Sequence, residues 1–158
     1  GVGVNEWQVC EAALRTHDFD CVLLAGQYSL LEQAALDSFL PLCVERGAAI
    51  VLGGGFHGGI LATGAVPGAK YDYQPAPEPI MARVRRIEAV CVRHGVALKA
   101  AALQFLVAHP AIPTVIPGTR TAAQLRDNLQ AFAAPIPADL WAELKADGLL
   151  REDAPTPG

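Results

Sequence analysis

The sequence predicts an α/β fold built on a parallel sheet, and three observations carry that prediction. Short apolar runs at Phe19–Ala25, Ala48–Leu52 and Thr114–Ile116 alternate with stretches of helical period. Those runs are apolar at nearly every position, the mark of strands covered on both faces. Composition agrees: of 158 residues 52% are apolar and 18% charged, where soluble domains average about 25% charged. Mean hydropathy is +0.29, yet no run approaches the ~20 apolar residues of a membrane span.

Each element has a local cause. Gly1–Val4 reads as the tail of a strand. Asn5 and Gln8 form a cap-like pair that opens a helix through about Arg15, with Glu6 placed well for the dipole. His17-Asp18 turns into the strand at Phe19–Ala25. Gln27–Ser29 is a loop, and the next helix begins near Ser38, with Pro41 in its first turn, where a missing N–H does no harm. Gly47 ends it as a C′ residue. The strand Ala48–Leu52 runs into Gly53-Gly54-Gly55-Phe56-His57-Gly58-Gly59. A proline-bearing loop over about Thr63–Pro79 precedes a helix at about Pro79–His94, whose stripe is Ile80, Val84, Ile87 and Cys91. An alanine-rich helix, Leu98–Ala108, stops before Pro110, which disfavours α geometry at His109. A last helix near Pro137–Lys145 carries Leu140, Trp141 and Leu144, and residues 150–158 form a polar tail expected to fray.

The organising stretch is Val115–Leu129. A β-branched run stops at Pro117-Gly118, and Thr121 with Gln124 has the spacing of a capping box. Leu125, Leu129 and Phe132 then form one apolar stripe. Free N–H groups, two threonine hydroxyls and Arg120 lie between strand and helix. Such an inventory suits an ordinary capped βα turn, and equally a phosphate site at a helix N-terminus. Two architectures accommodate the element order: a small doubly wound domain, or strands 5–8 of a (β/α)8 TIM barrel, whose usual length is about 250 residues. The start inside a strand favours the partial barrel, in which residues 1–158 are the C-terminal half.

Several function classes drop out. Net charge is -4 and no basic cluster exists, so neither nucleic acid nor an anionic membrane is an expected partner. No signal-peptide pattern opens the chain. The four cysteines, Cys10, Cys21, Cys43 and Cys91, lack metal spacing and read as buried free thiols of a cytoplasmic protein. His17, His57, His94 and His109 are isolated, so no metal site is expected. No Gly-x-Ser-x-Gly elbow occurs. Gly53–Gly59 has neither the Gly-Lys-Ser/Thr ending of a P-loop nor a fitting G-x-G-x-x-G. It reads as a strand-end loop whose glycines let backbone approach a flat ligand. Tyr28, at a strand end, reads as packing or substrate contact.

Gly3-Val4-Asn5 after a strand, the loop before Gly59-Ile60-Leu61-Ala62-Thr63-Gly64, and Ile116-Pro117-Gly118-Thr119-Arg120 with Asn128-Leu129 together resemble the aldo/keto reductases. Asn5-Glu6-Trp7-Gln8 and Leu23–Tyr28 are similar to the bacterial dehydrogenases of D-threo-aldoses, L-fucose and pyridoxal. The resemblance implies an NAD(P)-dependent oxidoreductase acting on a sugar or a related alcohol or aldehyde, with a cofactor site carried over by position. Asn5 matches the residue that hydrogen-bonds the nicotinamide carboxamide, though the serine usual before it is Val4. Gly53 stands where many members stack an aromatic ring, and Gly54, Gly55 and Phe56 match the loop crossing the pyrophosphate. Gly118, Thr119 and Arg120 match the segment at the adenosine ribose, while Gln124 and Asn128 match the positions at its phosphate and adenine. Trp7, Tyr28 and His57 are the substrate candidates.

Departures from the family pattern shape the expectation. The usual lysine at Gly118 and arginine at Gln124 are missing, which leaves Arg120 as the remaining cation and points to NAD, or to weak preference between NAD and NADP. The family's catalytic Asp, Tyr, Lys and His belong to the first half of its barrel, and no residue here matches them. The missing N-terminal half is therefore an expected partner, and the isolated stretch is expected to be inactive. A half barrel would also carry unpaired strand edges and an apolar inner face. The rival readings are a non-catalytic nucleotide-binding module, similar to the reductase-like subunits of ion channels, and an unrelated doubly wound domain.

Overall fold

The computed structural model describes residues 1–158. In chain order its elements are β1 (Val2–Val4), α1 (Trp7–Thr16), β2 (Cys21–Ala25), α2 (Phe39–Arg46), β3 (Ala49–Gly53), α3 (Ile60–Thr63), β4 (Lys70–Tyr71), β5 (Gln74–Pro75), α4 (Glu78–Arg93), α5 (Leu98–Val107), β6 (Thr114–Ile116), α6 (Ala122–Ala133) and α7 (Ala138–Ala146). The main sheet is parallel with order β1-β2-β3-β6. Each strand is laid beside the preceding one and the order never reverses. A doubly wound sheet reverses at a switch point, whereas a barrel advances steadily around its axis. The sheet is thus a four-stranded arc of a (β/α)8 barrel.

Only one face of this arc is covered. Val22 and Leu24 of β2 and Ile50 and Leu52 of β3 are buried beneath the helices. On the opposite face Cys21, Leu23, Thr114 and Ile116 are exposed, and Ala49 and Val51 are half-buried. The expectation of strands covered on both faces is corrected here. The inner wall of a barrel is buried by strands from its far side, and four strands do not supply that cover. The cysteine reading changes with it: Cys10, Cys43 and Cys91 are buried, but Cys21 is exposed on the inner face.

The helices pack largely as their patterns require. Gly47 terminates α2 at φ 66°, a conformation glycine adopts without a Cβ clash. Val84, Ile87, Val90 and Cys91 form the buried side of α4. In α5, Ala100, Ala101 and Ala102 are almost wholly buried with Phe105 and Leu106, and small side chains allow the helix to sit against several neighbours at once. No single helix is long and apolar enough to cross a membrane.

Four local expectations are corrected. First, α1 starts at Trp7 behind an extended Glu6, with no side-chain cap, so the Asn5–Gln8 pair goes unused. Second, the loop over Thr63–Pro79 contains the hairpin β4–β5, which turns through Asp72 and Tyr73 at φ 47° and 67°. Two-residue hairpins of type I′ need positive φ at both turn positions and normally announce it with Asn-Gly or Asp-Gly; Asp-Tyr hides the signal. Third, Leu125, Leu129 and Phe132 are 49%, 61% and 41% exposed, and the buried residue of α6 is Asn128. The stripe has helical spacing but faces away from the chain's own core. Fourth, residues 150–158 do not fray. Leu150 and Ala154 are buried, the Arg151 N–H donates to Gln33 Oε1 at 2.9 Å, and the Arg151 guanidinium pairs with Asp37 and Asp153.

Candidate cofactor site

The C-terminal ends of parallel strands carry the ligand loops of barrels and open α/β sheets alike. Here β3 pairs with β6 so that Gly53 lies opposite Ile116. The two segments singled out in the sequence, Gly53–Phe56 and Pro117–Arg120, therefore leave the sheet side by side. Asn5 follows β1 on the same rim, three strands from β6, which is roughly 14 Å at the usual strand spacing. Asn5, Gly54, Gly118, Thr119 and Arg120 are exposed there.

The α6 end of the rim is built by its cap. Thr121 Oγ accepts the Gln124 N–H at 3.2 Å, and Gln124 Oε1 turns back to accept the Arg120 N–H at 2.8 Å. This is the reciprocal arrangement of a capping box shifted by one residue. It commits the Gln124 carbonyl oxygen to the turn. The N–H groups of Ala122 and Ala123 have no partner within their helix, and the Arg120 guanidinium has no carboxylate within salt-bridge reach. Backbone donors, the positive end of the helix dipole and the exposed Arg120 thus belong to one turn, an inventory that suits an anion.

The β3 end of the rim is shaped by close approach. Gly54 has φ 67°, and a Cβ there would lie 2.8 Å from the Gly26 nitrogen; at Gly55 it would lie 2.5 Å from Leu106 Cδ1. Phe56 is linked to the α6 side by Lys99, whose ammonium lies 5.9 Å above the Phe56 ring and pairs with Asp127. The cation–π contact and the ion pair together tie the loop after β3 to the helix after β6. Neither Lys99 nor Asp127 was singled out by the sequence, because a cation in the first turn of α5 carries no motif.

The three substrate candidates do not converge. Trp7 stacks on Phe39 at 6.5 Å within the α1–α2 packing. Tyr28 is wholly buried, stacked on Phe105 at 5.0 Å and edge-on to His109 at 5.8 Å, with its hydroxyl unpartnered. Burial pushes its phenol pKa up, with Asp153 adding to the shift. His57 is buried too. Its Nε2 meets Ser29 Oγ at 2.7 Å, its Nδ1 meets Asp72 Oδ1 at 3.1 Å, and its ring stacks on Tyr71 at 5.0 Å. Tyr71 in turn donates to Glu32, and burial with that carboxylate raises the Tyr71 pKa. Ser29 and Asp72 lie 28 and 15 residues from His57, so no local spacing could have joined them to it.

The family model for aldo/keto reductases matches residues 1–147, and the chain belongs to that family. It is 44% identical over 150 residues to a pyridoxal 4-dehydrogenase of Microbacterium luteolum, covering 95% of this chain and 44% of that protein. It is 37% identical over 158 residues to a D-threo-aldose 1-dehydrogenase of a Pseudomonas species, covering 99% of this chain and 47% of that one. The chain thus spans about half the length of the curated relatives it matches. Among solved structures, an aldo-keto reductase of Bacillus halodurans in its holo form superposes with a TM-score of 0.71 at 22% identity, covering 96% of this chain and 49% of that one. Its apo form gives 0.72 at 24% identity, covering 96% and 50%. Those two show the fold: the four-stranded arc corresponds to about half of a reductase.

Proposed function

We propose that this chain forms the cofactor-holding half of an NAD(P)-dependent reductase that interconverts an aldose or related alcohol with its oxidised partner. The observation that carries the reading is the pairing of Gly53 with Ile116, which sets the glycine loop after β3 beside the capped N-terminus of α6. Gly54, Gly55 and Phe56 would lie along the pyrophosphate, with Gly118, Thr119 and Arg120 at the adenosine ribose and Gln124 and Asn128 beyond it. Asn5 would reach the nicotinamide carboxamide. A bound nicotinamide would supply the hydride chemistry, and this chain's residues would hold and orient it.

The residues present fit a dinucleotide. Backbone is open in front of Gly118, where a Cβ would meet nothing within 4 Å. Asn128 is buried except for 5% of its surface, so only the edge of its side chain would meet an adenine. The electrostatics favour NAD or a weak preference. Lys99 is already paired with Asp127, and with Gly118 and Gln124 uncharged the segment at the ribose offers Arg120 as its cation; each charge-assisted hydrogen bond is worth roughly 1.5–3 kcal/mol. Steady-state kinetics of the whole reductase with both cofactors test this. kcat/KM ratios within about a hundredfold fit one such bond, and a larger preference for NADP defeats the assignment. The 158-residue chain by itself is expected to show no turnover above background with either cofactor, and measurable turnover would place proton-transfer chemistry in residues not assigned it here.

A further inference from the structure

We propose that His57, in its neutral Nδ1–H form, is the positioning residue that holds the glycine loop Gly54-Gly55-Phe56 in its cofactor-ready shape, and that protonating it releases the loop. The proposal rests on the cofactor reading of that loop. His57 follows Phe56 directly, has φ 45°, and its own N–H donates to the Gly54 carbonyl at 2.9 Å. Left-handed backbone at a residue with a Cβ persists only where surrounding contacts hold it. Here the contacts come from three separate segments: Ser29 from the loop after β2, Asp72 from the β4–β5 turn, and Tyr71 stacked on the ring. Asp72 and Tyr73 are also at positive φ, so every non-glycine residue with that geometry belongs to this one cluster.

The hydrogen bonds decide which form of the ring fits. Ser29 Oγ accepts the N–H groups of Leu31 at 3.0 Å and Glu32 at 3.1 Å. A hydroxyl oxygen has two lone pairs, and both are taken. The remaining capacity of Ser29 is its own O–H, which must point at His57 Nε2, so Nε2 is the acceptor. Nδ1 then carries the ring proton and donates it to Asp72. A second proton on Nε2 would face an oxygen with no lone pair left. Either a backbone N–H of the Leu31–Glu32 turn loses its acceptor inside the protein or the ring withdraws from Ser29. Asp72 pulls the other way, since its negative charge favours a cationic ring. Its carboxylate is 60% exposed and solvent-screened, while Glu32 is engaged by the Tyr71 hydroxyl. Withdrawal of the ring pulls directly on Phe56 and Gly54.

Three variants and two readouts test this in the whole reductase. His57→Gln keeps an acceptor and a donor but cannot titrate; His57→Phe keeps the stack and removes both hydrogen bonds. Cofactor affinity of the native protein, measured by nicotinamide fluorescence, is expected to fall roughly tenfold as His57 is protonated, the equivalent of one buried hydrogen bond. His57→Gln should bind within about threefold of native and lose the pH dependence, while His57→Phe should bind roughly tenfold more weakly at every pH. Ser29→Ala should weaken the pH dependence without a comparable loss at neutral pH. Without cofactor, the ¹⁵N shifts of the His57 ring report the tautomer, and the amides of Gly54, Gly55 and Phe56 should move with its titration. Failure of the native protein to bind either cofactor overturns the functional reading. Cofactor binding that stays pH-dependent in His57→Gln, or an Nε2–H tautomer, overturns the role of His57 itself.

Discussion

The closest backbone approach in the site gives the most exacting prediction. Gly54 sits at φ 67°, and a Cβ there would lie 2.8 Å from the Gly26 nitrogen and 3.2 Å from its Cα. That nitrogen donates to the Gly53 carbonyl at 3.0 Å, the bond that joins the loops after β2 and β3. Gly54→Ala therefore carries two costs. The left-handed conformation of an L-residue costs about 1–2 kcal/mol, less roughly 0.4–1 kcal/mol from the smaller conformational freedom of the unfolded alanine chain. Because backbone and not a flexible side-chain end blocks the Cβ, the two loops must also separate, forfeiting a hydrogen bond worth about 1 kcal/mol and disturbing packing by about 1 kcal/mol or more. The sum is about 2–4 kcal/mol. Gly47→Ala is the control: φ is 66°, but a Cβ would meet nothing within 4 Å, so about 1 kcal/mol is expected. Urea unfolding followed by far-UV circular dichroism measures both, and a cofactor titration follows each variant. Equal destabilisation of the two variants, or a Gly54→Ala protein that binds cofactor as the native one does, would refute the account of the loop.

Three further outcomes are expected. Tyr28→Phe removes a buried, unpartnered hydroxyl, so stability should hold or rise by about 1 kcal/mol; a fall in the unfolding midpoint would reveal a partner for that oxygen. In the native 158-residue chain a thiol reagent should titrate Cys21 alone, since Cys10, Cys43 and Cys91 are buried and burial pushes Cys43 up to about 12 and Cys91 to about 11; rapid reaction of a second thiol would contradict the packing. Burial lowers the His109 pKa from its ordinary 6.5, so the unfolded chain takes up the proton first. Stability linked to His109 is then complete above about pH 6.5 and declines as pH falls below it. His109→Asn, whose carbonyl can accept the Ala111 N–H now held by Nδ1 at 3.2 Å, should flatten that decline, and an unchanged slope would remove His109 from the account.

The sequence was most informative where the physics is local. The Gly47 stop, the Pro41 position and the Thr121–Gln124 cap each depend on a few consecutive residues, and each is present in the fold. The alternation of apolar strands with helices was enough to predict a parallel sheet, which the fold has. Burial was harder to read. Leu125, Leu129 and Phe132 keep helical spacing yet face solvent, because periodicity identifies a stripe without saying what covers it. The β4–β5 hairpin was hidden by a turn without glycine, and the tail was misjudged because its polar residues anchor to Gln33 and Asp37 more than a hundred positions away. The site shows the same division. Loop and cap were visible as motifs, whereas Lys99, Asp127, Ser29 and Asp72 join it only through tertiary contacts.

The packing of the tail bears on how the chain is made. Gln33 donates through its Nε2 to the carbonyls of Ser29 and Leu30 while its Oε1 holds the Arg151 N–H. The loop after β2 is thus fastened at one end by residues synthesised about 120 positions later. On the ribosome, β1, β2 and β3 can pair as they emerge, since each is adjacent to its predecessor, but Gln33 Oε1 waits for the Arg151 N–H. A nascent chain stalled before Arg151 would present the four paired strands with Gln33 Oε1 still open.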